Sequence, residues 1–255
     1  MTRIITVASA KGGVGKTTTV ASLAAALAEL RQNVIAVDGN VTTSNLGIHL
    51  GIPLYPVTIQ DVLKGRADIR EAVYKHRLGF RVVPADVSLN KLMIPQAHEY
   101  IEAFDKLLRR SDFILVDCAA GLGREAVSAI AAADEVLTVT LPEMPALMDA
   151  YKLVQVAERE EARNLGVVVN RVRRERHEVT VQEISEFLGV PVLAVIPEDP
   201  AVRFAIAKKE PVVACKPRSP AARAFRRLAQ RIVREQVIER YEEAGILQRL
   251  FGWLR

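Results

Sequence analysis

The feature that most constrains this chain is a glycine-rich stretch close to its N-terminus, residues 11–18, with the sequence KGGVGKTT. It follows a β-branched run at residues 4–7 and precedes an alanine- and leucine-rich helical pattern at residues 19–30. A strand, a glycine loop and a helix in this order aim backbone N–H groups at phosphate oxygens, and the helix N-terminus adds positive potential. Lys16 is placed to reach the terminal phosphates, and the Thr17 hydroxyl to ligate Mg²⁺. The predicted cofactor-binding residues of this loop are Gly12, Gly13, Val14, Gly15, Lys16, Thr17 and Thr18.

The loop is a variant of the general P-loop pattern, because a second lysine, Lys11, lies inside it. On this motif the chain resembles the MinD/ParA ATPases, whose deviant Walker A loop carries such an extra lysine. The resemblance implies ATP and Mg²⁺ as cofactors and hydrolysis of ATP to ADP and phosphate. It also implies an ATP-dependent homodimer in which Lys11 reaches the nucleotide of the partner subunit. Lys11 and Lys16 are therefore the predicted catalytic lysines.

An apolar run at residues 33–38 ends in Asp38, which is typical of a buried parallel strand whose tip faces a ligand. The next residues resemble the family's Asp-x-Asp segment, except that Asn40 stands in the second position. An amide can hold the attacking water but cannot accept its proton. Asn40 is thus predicted to be catalytic but to impair hydrolysis, either as a natural variant or as a substitution that keeps the ATP state. The second explanation is favoured because the other motifs are intact. Asp38 is a predicted metal ligand.

A second strand pattern, residues 112–117, ends in Asp117 and is followed by Gly121. Taken alone, an aspartate in this position is often a cap for the next helix. After a P-loop it is typical of a Walker B element, whose carboxylate binds Mg²⁺ through water, while the Gly121 amide can sense a γ-phosphate. Asp117 joins Thr17 and Asp38 as a predicted metal ligand.

Two later strand patterns end in polar residues that the resemblance assigns to the base of the nucleotide. Residues 165–171 end in Asn170 and Arg171, and in relatives this pair reads the adenine, because an amide offers both a donor and an acceptor. Residues 191–199 end in Pro197, Glu198 and Asp199, a segment that resembles the loop closing over the base.

The alternation of about seven strand patterns with helical patterns predicts an α/β fold, a doubly wound and mostly parallel sheet with helices on both faces. Together with the loop, it predicts the P-loop NTPase class. Residues 96–110 are predicted to form an amphipathic helix with Tyr100, Ile101, Phe104, Leu107 and Leu108 on one stripe. We predict one ATPase domain, residues 1–236, and a C-terminal amphipathic helix, residues 237–255.

Composition and charge limit the classes of protein and the kinds of partner that are compatible with this chain. The 255 residues are 50% hydrophobic and 25% charged, enough to bury a full core. The chain shows no signal-peptide pattern and no run of about eighteen apolar residues, so a cytoplasmic protein is expected. Cys118 and Cys215 are isolated, which argues against a disulfide framework and against zinc or iron–sulfur sites. The net charge of +5 suits an anionic partner or a generally basic surface.

The C-terminal region carries two further patterns. Residues 216–234 contain seven basic residues and no acid, with an apolar helical stripe, so a helix docked on the core is preferred over direct nucleic-acid contact. Residues 245–255 place bulky apolar side chains on one face of a helix that is too short to span a bilayer but able to lie in its interface. The alternative is packing on this chain or on a partner subunit. The predicted membrane-contacting residues are Ile246, Leu247, Leu250, Phe251, Trp253 and Leu254.

This terminal segment also resembles the membrane-targeting sequence of the MinD branch. The favoured hypothesis is a cytoplasmic ATPase that lies peripherally on the inner face of the cell membrane and positions the division site or other polar machinery. ATP-dependent dimers would bind an anionic membrane by avidity, and a regulatory or cargo protein is expected as a partner. The alternative is a ParA-like partitioning ATPase that holds non-specific DNA through Arg171, Arg173, Arg174 and Arg176. A scaffold that binds nucleotide without turnover is the third hypothesis.

Overall fold

The computed structural model describes residues 2–52, 55–88 and 93–251, with side chains as far as Glu235. The strands are β1 (Arg3–Ser9), β2 (Val34–Asp38), β3 (Tyr74–Lys75), β4 (Arg81–Val83), β5 (Phe113–Ala120), β6 (Glu135–Thr140), β7 (Arg163–Val172) and β8 (Val192–Pro197). The helices are α1 (Lys16–Glu29), α2 (Leu46–His49), α3 (Ile59–Leu63), α4 (Ala97–Asp105), α5 (Arg124–Ala131), α6 (Met144–Arg159), α7 (Val181–Leu188), α8 (Pro200–Ala207), α9 (Val212–Cys215) and α10 (Pro220–Phe251).

The strands traced in these ranges form a single sheet in the order β3-β4-β2-β5-β1-β6-β7-β8. Every neighbouring pair is parallel except β3 with β4. The predicted fold class is therefore confirmed. The sequence patterns missed only β3, whose two residues are too few to show an alternating pattern.

Both faces of the sheet are covered because successive side chains of a strand point to opposite sides. In β1, Ile5 and Val7 pack with α1 and α10, whereas Ile4 and Ala8 pack on the other face with α4 and α5. A smaller cluster of buried residues joins α6 and α7 to β7. Parallel strands buried on both faces place all their carboxyl ends along one rim, where a ligand site is expected.

The predicted amphipathic helix at residues 96–110 is shorter than expected. Helix α4 ends at Asp105, and Arg109 adopts a left-handed backbone conformation with φ of 65°. Tyr100 and Phe104 are buried, but Ile101 and Leu108 are 44% and 38% exposed, so the five-residue stripe is wrong at those two positions. Ile101 and Leu108 each follow a buried residue in the sequence. Because consecutive residues lie about 100° apart around a helix, the predicted stripe was too wide to be buried as a whole.

Helix α10 begins with Pro220, and its apolar stripe lies on the core as predicted. Ala222, Phe225, Leu228, Ala229 and Ile232 are all buried. Beyond Glu235 only the backbone is described, so the predicted membrane-contacting residues lie outside the described side chains.

Candidate functional site

The glycine loop connects β1 to α1, and its backbone needs glycine at two positions. Gly13 and Gly15 have φ of 77° and 104°. A Cβ atom on Gly15 would lie only 2.3 Å from Nδ2 of Asn170, at the carboxyl end of β7. Because Gly15 is also the N-cap residue directly before α1, the loop delivers the helix N-terminus and its free N–H groups to the rim.

The two lysines of the loop have different surroundings. Lys16 is buried, and its ammonium donates a hydrogen bond to the Ser9 hydroxyl at 3.1 Å. That hydroxyl in turn donates to the Lys11 carbonyl at 2.7 Å, so Ser9 ties the loop together and aims Lys16. The Lys11 side chain is exposed and, within the described residues, has no ion-pair or hydrogen-bond partner. Lys16 thus serves this chain's own loop, and Lys11 points to solvent.

Asp38 and Asp117 stand opposite each other where β2 and β5 pair. Both carboxyl groups are buried. Asp38 accepts hydrogen bonds from the Ser44 hydroxyl at 2.7 Å, the Leu46 N–H at 3.1 Å and the Asn40 N–H at 3.3 Å. The structure therefore brings together the two aspartates that the sequence assigned separately to the metal.

The environment of the two carboxyl groups resists their ionisation. Burial raises the pKa of Asp38 to about 6, although the hydrogen bond from Ser44 and those from the backbone oppose the shift. Burial, and then the charge of Asp38, raise the pKa of Asp117 to about 7, against the opposing effects of Thr17 and Lys16.

Neither carboxylate oxygen of Asp117 has a hydrogen bond of regular geometry among the described residues. A buried carboxylate without donors is costly unless a cation compensates it. Hard oxygen ligands beside the P-loop are what Mg²⁺ requires. The residues at this position therefore fit a magnesium ion held between Asp117, the Thr17 hydroxyl and nucleotide phosphates.

Asn40 lies in a tight turn rather than projecting freely towards the loop. Its Oδ1 accepts from the Thr43 N–H at 3.1 Å and the Thr43 hydroxyl at 3.0 Å, while its Nδ2 donates to the Thr43 carbonyl at 2.8 Å. An amide can accept from the two Thr43 donors and donate to the Thr43 carbonyl at the same time, whereas a carboxylate has no N–H to donate. The amide therefore suits the local structure, whatever its effect on catalysis.

Two partners of this region were not predicted from sequence. Ser44 is one, since its hydroxyl binds Asp38. Glu125, in the first turn of α5, is the other, because its carboxylate accepts from the Thr42 N–H at 3.1 Å and the Thr42 hydroxyl at 2.6 Å. Ser44 could have been found as a hydroxyl residue beside the Asp38 segment. Glu125 lies 83 residues from Thr42, and no sequence pattern connects them.

The Gly121 amide, predicted to sense a γ-phosphate, donates to the Ser9 carbonyl at 3.0 Å and extends the pairing of β1 with β5. Asn170, predicted to read the adenine, is buried and donates from Nδ2 to the Val14 carbonyl at 2.6 Å. Both groups therefore brace the loop in this structure. Arg171 is exposed and has a left-handed backbone with φ of 56°.

The segment predicted to close over the base joins three elements. Asp199 caps two helices, since its Oδ1 accepts from the Ala201 N–H at 2.9 Å and its Oδ2 from the Ala221 N–H at 3.0 Å. The Glu198 N–H donates to the Val172 carbonyl at 3.0 Å. Glu198 Oε2 is buried and has no hydrogen-bond partner among the described residues. Asp199 thus has a clear structural role, which the sequence analysis did not foresee.

A model of the CobQ/CobB/MinD/ParA nucleotide-binding domain matches residues 5–212, which contain the loop, both aspartates and the base segment. The chain belongs to this family. The MinD/ParA resemblance is thereby confirmed.

Relatives named MinD match almost the whole chain. The septum site-determining protein MinD of Synechocystis is 35% identical over 239 residues, 91% of this chain and 90% of the relative. The MinD of Pyrococcus horikoshii, solved with Mg-ADP, is 37% identical with a TM-score of 0.87, covering 91% of this chain and 96% of that one. A MinC:MinD complex of Aquifex aeolicus matches at 30% identity and a TM-score of 0.82, again over 91% and 96%.

No helix in the described part of this MinD/ParA-family chain is both long and apolar enough to cross a membrane. The described side chains also contain no cluster of three or more histidine, cysteine or acidic residues able to hold a metal by themselves.

Proposed function

We propose that this chain is a MinD-like ATPase that binds Mg-ATP, dimerises in the ATP state and associates with an anionic membrane to position division or other polar machinery. The observation that carries the proposal is the meeting of Lys16, Thr17, Asp38 and Asp117 at one rim of the sheet, directly at a loop with an exposed second lysine.

The reaction is the attack of water on the γ-phosphorus, which forms a bond to that water and breaks the bond to the ADP oxygen. The N–H groups of the loop and the Lys16 ammonium bind the phosphate oxygens and stabilise the charge that moves onto them. Thr17 and Asp117 would hold Mg²⁺, which neutralises charge on the phosphates when it is bound. Lys11 would reach the partner subunit's phosphates, so dimer formation completes the site.

Asn40 is expected to make turnover slow. Its oxygen already accepts from Thr43, and an amide cannot take the proton that the attacking water releases. Slow hydrolysis prolongs the ATP state, and with it the dimer.

The proposed membrane contact lies in residues 245–255, within the C-terminal unit that we assign to residues 237–255. A single short amphipathic segment binds membranes weakly and reversibly, whereas two segments on one dimer bind by avidity. ATP would therefore recruit the protein to the membrane, and hydrolysis would release it. By likeness to the MinD solved with MinC, a regulatory protein would bind the ATP dimer.

The first test is co-sedimentation of the full chain with anionic vesicles in ATP and in ADP at the same salt concentration. We expect pelleting in ATP only, and loss of pelleting on removal of residues 245–255. Since the described core side chains all precede Glu235, the truncated protein should keep its melting temperature, which separates lost binding from lost folding. Equal pelleting in both nucleotides contradicts the switch, and no pelleting in either contradicts the membrane assignment.

The second test addresses the dimer. Lys11→Ala should bind nucleotide but remain monomeric in ATP by light scattering, because the exposed lysine is absent from the partner's site. Lys208→Ala removes another exposed lysine, one that directly follows α8 and lies outside the loop, and is the matched control. Dimerisation of both variants would exclude the role assigned to Lys11.

The ParA-like alternative is favoured by one observation. Four arginines at the end of β7 and on the segment that follows it are all exposed, namely Arg171, Arg173, Arg174 and Arg176. This alternative predicts DNA binding that weakens steeply with salt and persists without residues 245–255. The scaffold alternative, which rests on Asn40, predicts nucleotide binding without turnover by this chain, and ATP hydrolysis at a rate comparable to that of Asn40→Asp would exclude it.

A further inference from the structure

The segment that leads from β2 into α2 is fixed to the interior of the protein at both ends. Near its start, the Gly39 carbonyl accepts from the buried Tyr100 hydroxyl at 3.0 Å. Two residues later, the Val41 carbonyl accepts from the buried Gln60 amide at 3.2 Å. The far end is tied to the carboxylate at the end of β2 by a hydroxyl and a backbone N–H. The backbone on both sides of Asn40 is therefore held in place.

The tip of this segment, which we define as Thr42 and Thr43, has different surroundings, since both residues are exposed. Thr43 is bonded within the segment, to the Asn40 amide and to the Asn45 side chain. Thr42 reaches another element, because its N–H and its hydroxyl donate to the two carboxylate oxygens of Glu125 at 3.1 and 2.6 Å. Among the described residues, Glu125 is thus the one group outside the segment to which the tip is hydrogen-bonded.

The contact with Glu125 determines which partner the Asn40 amide has. Thr43 occupies both the oxygen and the nitrogen of that amide. Because Thr43 adjoins Thr42, the tip cannot turn away from Asn40 while the carboxylate holds Thr42. The backbone of Asn40 is fixed, so movement of the tip would free its amide without moving the residue away from the rim of the sheet.

We propose that Glu125 is a positioning residue that restrains ATP hydrolysis. By holding Thr42 it keeps the tip closed on Asn40, and release of Thr42 frees the Asn40 amide to hold the attacking water by hydrogen bonds. The inference rests on the proposed ATPase function and adds a residue that controls its rate.

The place of Glu125 in the chain connects this contact to the phosphate site. Glu125 lies in the first turn of α5, four residues after Gly121. The Gly121 N–H donates to the Ser9 carbonyl at 3.0 Å. A γ-phosphate that takes this N–H from Ser9 would shift the start of α5 and strain the contact with Thr42. Removal of the carboxylate spares the ATP state that cost, so the open tip becomes more populated.

The first test compares Glu125→Gln with Glu183→Gln by single-turnover phosphate release at saturating ATP. Glu183 is the matched control, because its carboxylate accepts from the N–H and the hydroxyl of Thr180 at 2.8 and 2.7 Å, the same contact made on α7. We expect Glu125→Gln to release phosphate about tenfold faster than the wild type, since the loss of one hydrogen bond to a charged group shifts an equilibrium by about that factor. The affinity for ATP should stay the same, and Glu183→Gln should release phosphate at the wild-type rate.

A second set of variants tests whether Glu125 acts through the tip. Thr42→Val removes the hydroxyl, so it should also speed phosphate release and should add nothing to the effect of Glu125→Gln. In an Asn40→Ala background, Glu125→Gln should leave the rate unchanged, because the amide that the tip occupies is absent. Amide exchange at residues 42 and 43 should be faster in Glu125→Gln, with or without turnover.

The inference is overturned if Glu125→Gln releases phosphate no faster than the wild type, as a merely structural contact predicts. It is also overturned if the increase persists in Asn40→Ala, or if amide exchange at residues 42 and 43 does not change. Faster exchange without hydrolysis in any variant, Asn40→Asp included, would instead refute the proposed ATPase function, and with it the control of its rate. The two failures are therefore distinguishable.

Discussion

Replacement of Gly15 by alanine tests how the glycine loop is held. In this structure Gly15 has φ of 104°, and an added Cβ would lie 2.3 Å from Nδ2 of Asn170. That nitrogen belongs to a side chain that can rotate, so the clash would be relieved by breaking its 2.6 Å hydrogen bond to the Val14 carbonyl. Gly13 provides the comparison, because it also has positive φ, 77°, but nothing within 4 Å of its added Cβ.

The expected magnitudes follow from these two environments. Gly13→Ala adds only backbone strain, about 1–2 kcal/mol of unfolding free energy. Gly15→Ala adds similar strain and also breaks the hydrogen bond between the Asn170 amide and the Val14 carbonyl. Leaving these two groups unpaired costs a further amount of about 1–3 kcal/mol. We therefore expect Gly15→Ala to destabilise the protein by about 2–5 kcal/mol, clearly more than Gly13→Ala.

The assay is equilibrium urea unfolding of the nucleotide-free protein, with both alanines also made in an Asn170→Ala background. Removal of the Asn170 amide removes the clash and the hydrogen bond together, so the difference between the two alanine variants should nearly vanish there. Equal destabilisation by the two substitutions in the wild-type background would refute the assigned contact. So would a difference that persists without Asn170.

Three further predictions follow from the same contacts. Asn40→Asp loses the donor to the Thr43 carbonyl but gains a proton acceptor, so single-turnover phosphate release should rise about tenfold or more, while urea stability falls by about 1 kcal/mol. In the wild type the buried Arg3 guanidinium donates to both carboxylate oxygens of Glu135, at 2.7 and 2.9 Å. Glu135→Gln removes this counter-charge and should lower the free energy of unfolding by about 3–5 kcal/mol. Asp117 has a pKa raised from 3.8 to about 7, so its proton binds the folded state more tightly than the unfolded chain, and its contribution to stability is lost as pH rises from about 4 to about 7. The stability of Asp117→Asn relative to wild type, measured without nucleotide, should therefore increase across that range, and a constant difference would contradict the buried-carboxyl assignment.

The fold was predictable because its signals are local. Each parallel strand is buried on both faces and so appears as an apolar run, and each main helix has a stripe of the right period. Two predictions were wrong for local reasons as well. The two residues of β3 are too few to show an alternating pattern, and the buried stripe predicted for α4 included exposed residues next to the buried ones. Helix α4 also stops early, because the turn at Arg109 depends on contacts that no neighbouring residue reveals, including its N–H bond to the Thr2 hydroxyl.

The site was predictable only where a motif encodes it. Asp38 ends β2, whereas Asp117 ends only the predicted strand, because β5 continues to Ala120; their pairing follows once β2 and β5 are known to be neighbours. The roles of Asn170 and Asp199 did not follow, because both depend on which element lies across from them in the fold. Asn170 contacts a loop 156 residues away, and Asp199 caps α10 as well as α8. Motif likeness assigned both to the base, whereas the contacts show that both also brace the structure around it.

The basic stretch of the C-terminal region shows most clearly what sequence leaves undecided. Its arginines look equivalent in sequence, yet they have three different environments. Arg226 binds both carboxylate oxygens of Glu29 at the end of α1, at 2.6 and 2.8 Å, and so fastens α10 to the helix that begins at the glycine loop. Arg231 covers strand carbonyls. Arg223 and Arg227 have no partner in the described structure, although they are one turn apart on the same helix as the other two. The same helix therefore uses Arg226 and Arg231 to fix its own position and leaves Arg223 and Arg227 exposed, a division that the sequence pattern does not reveal.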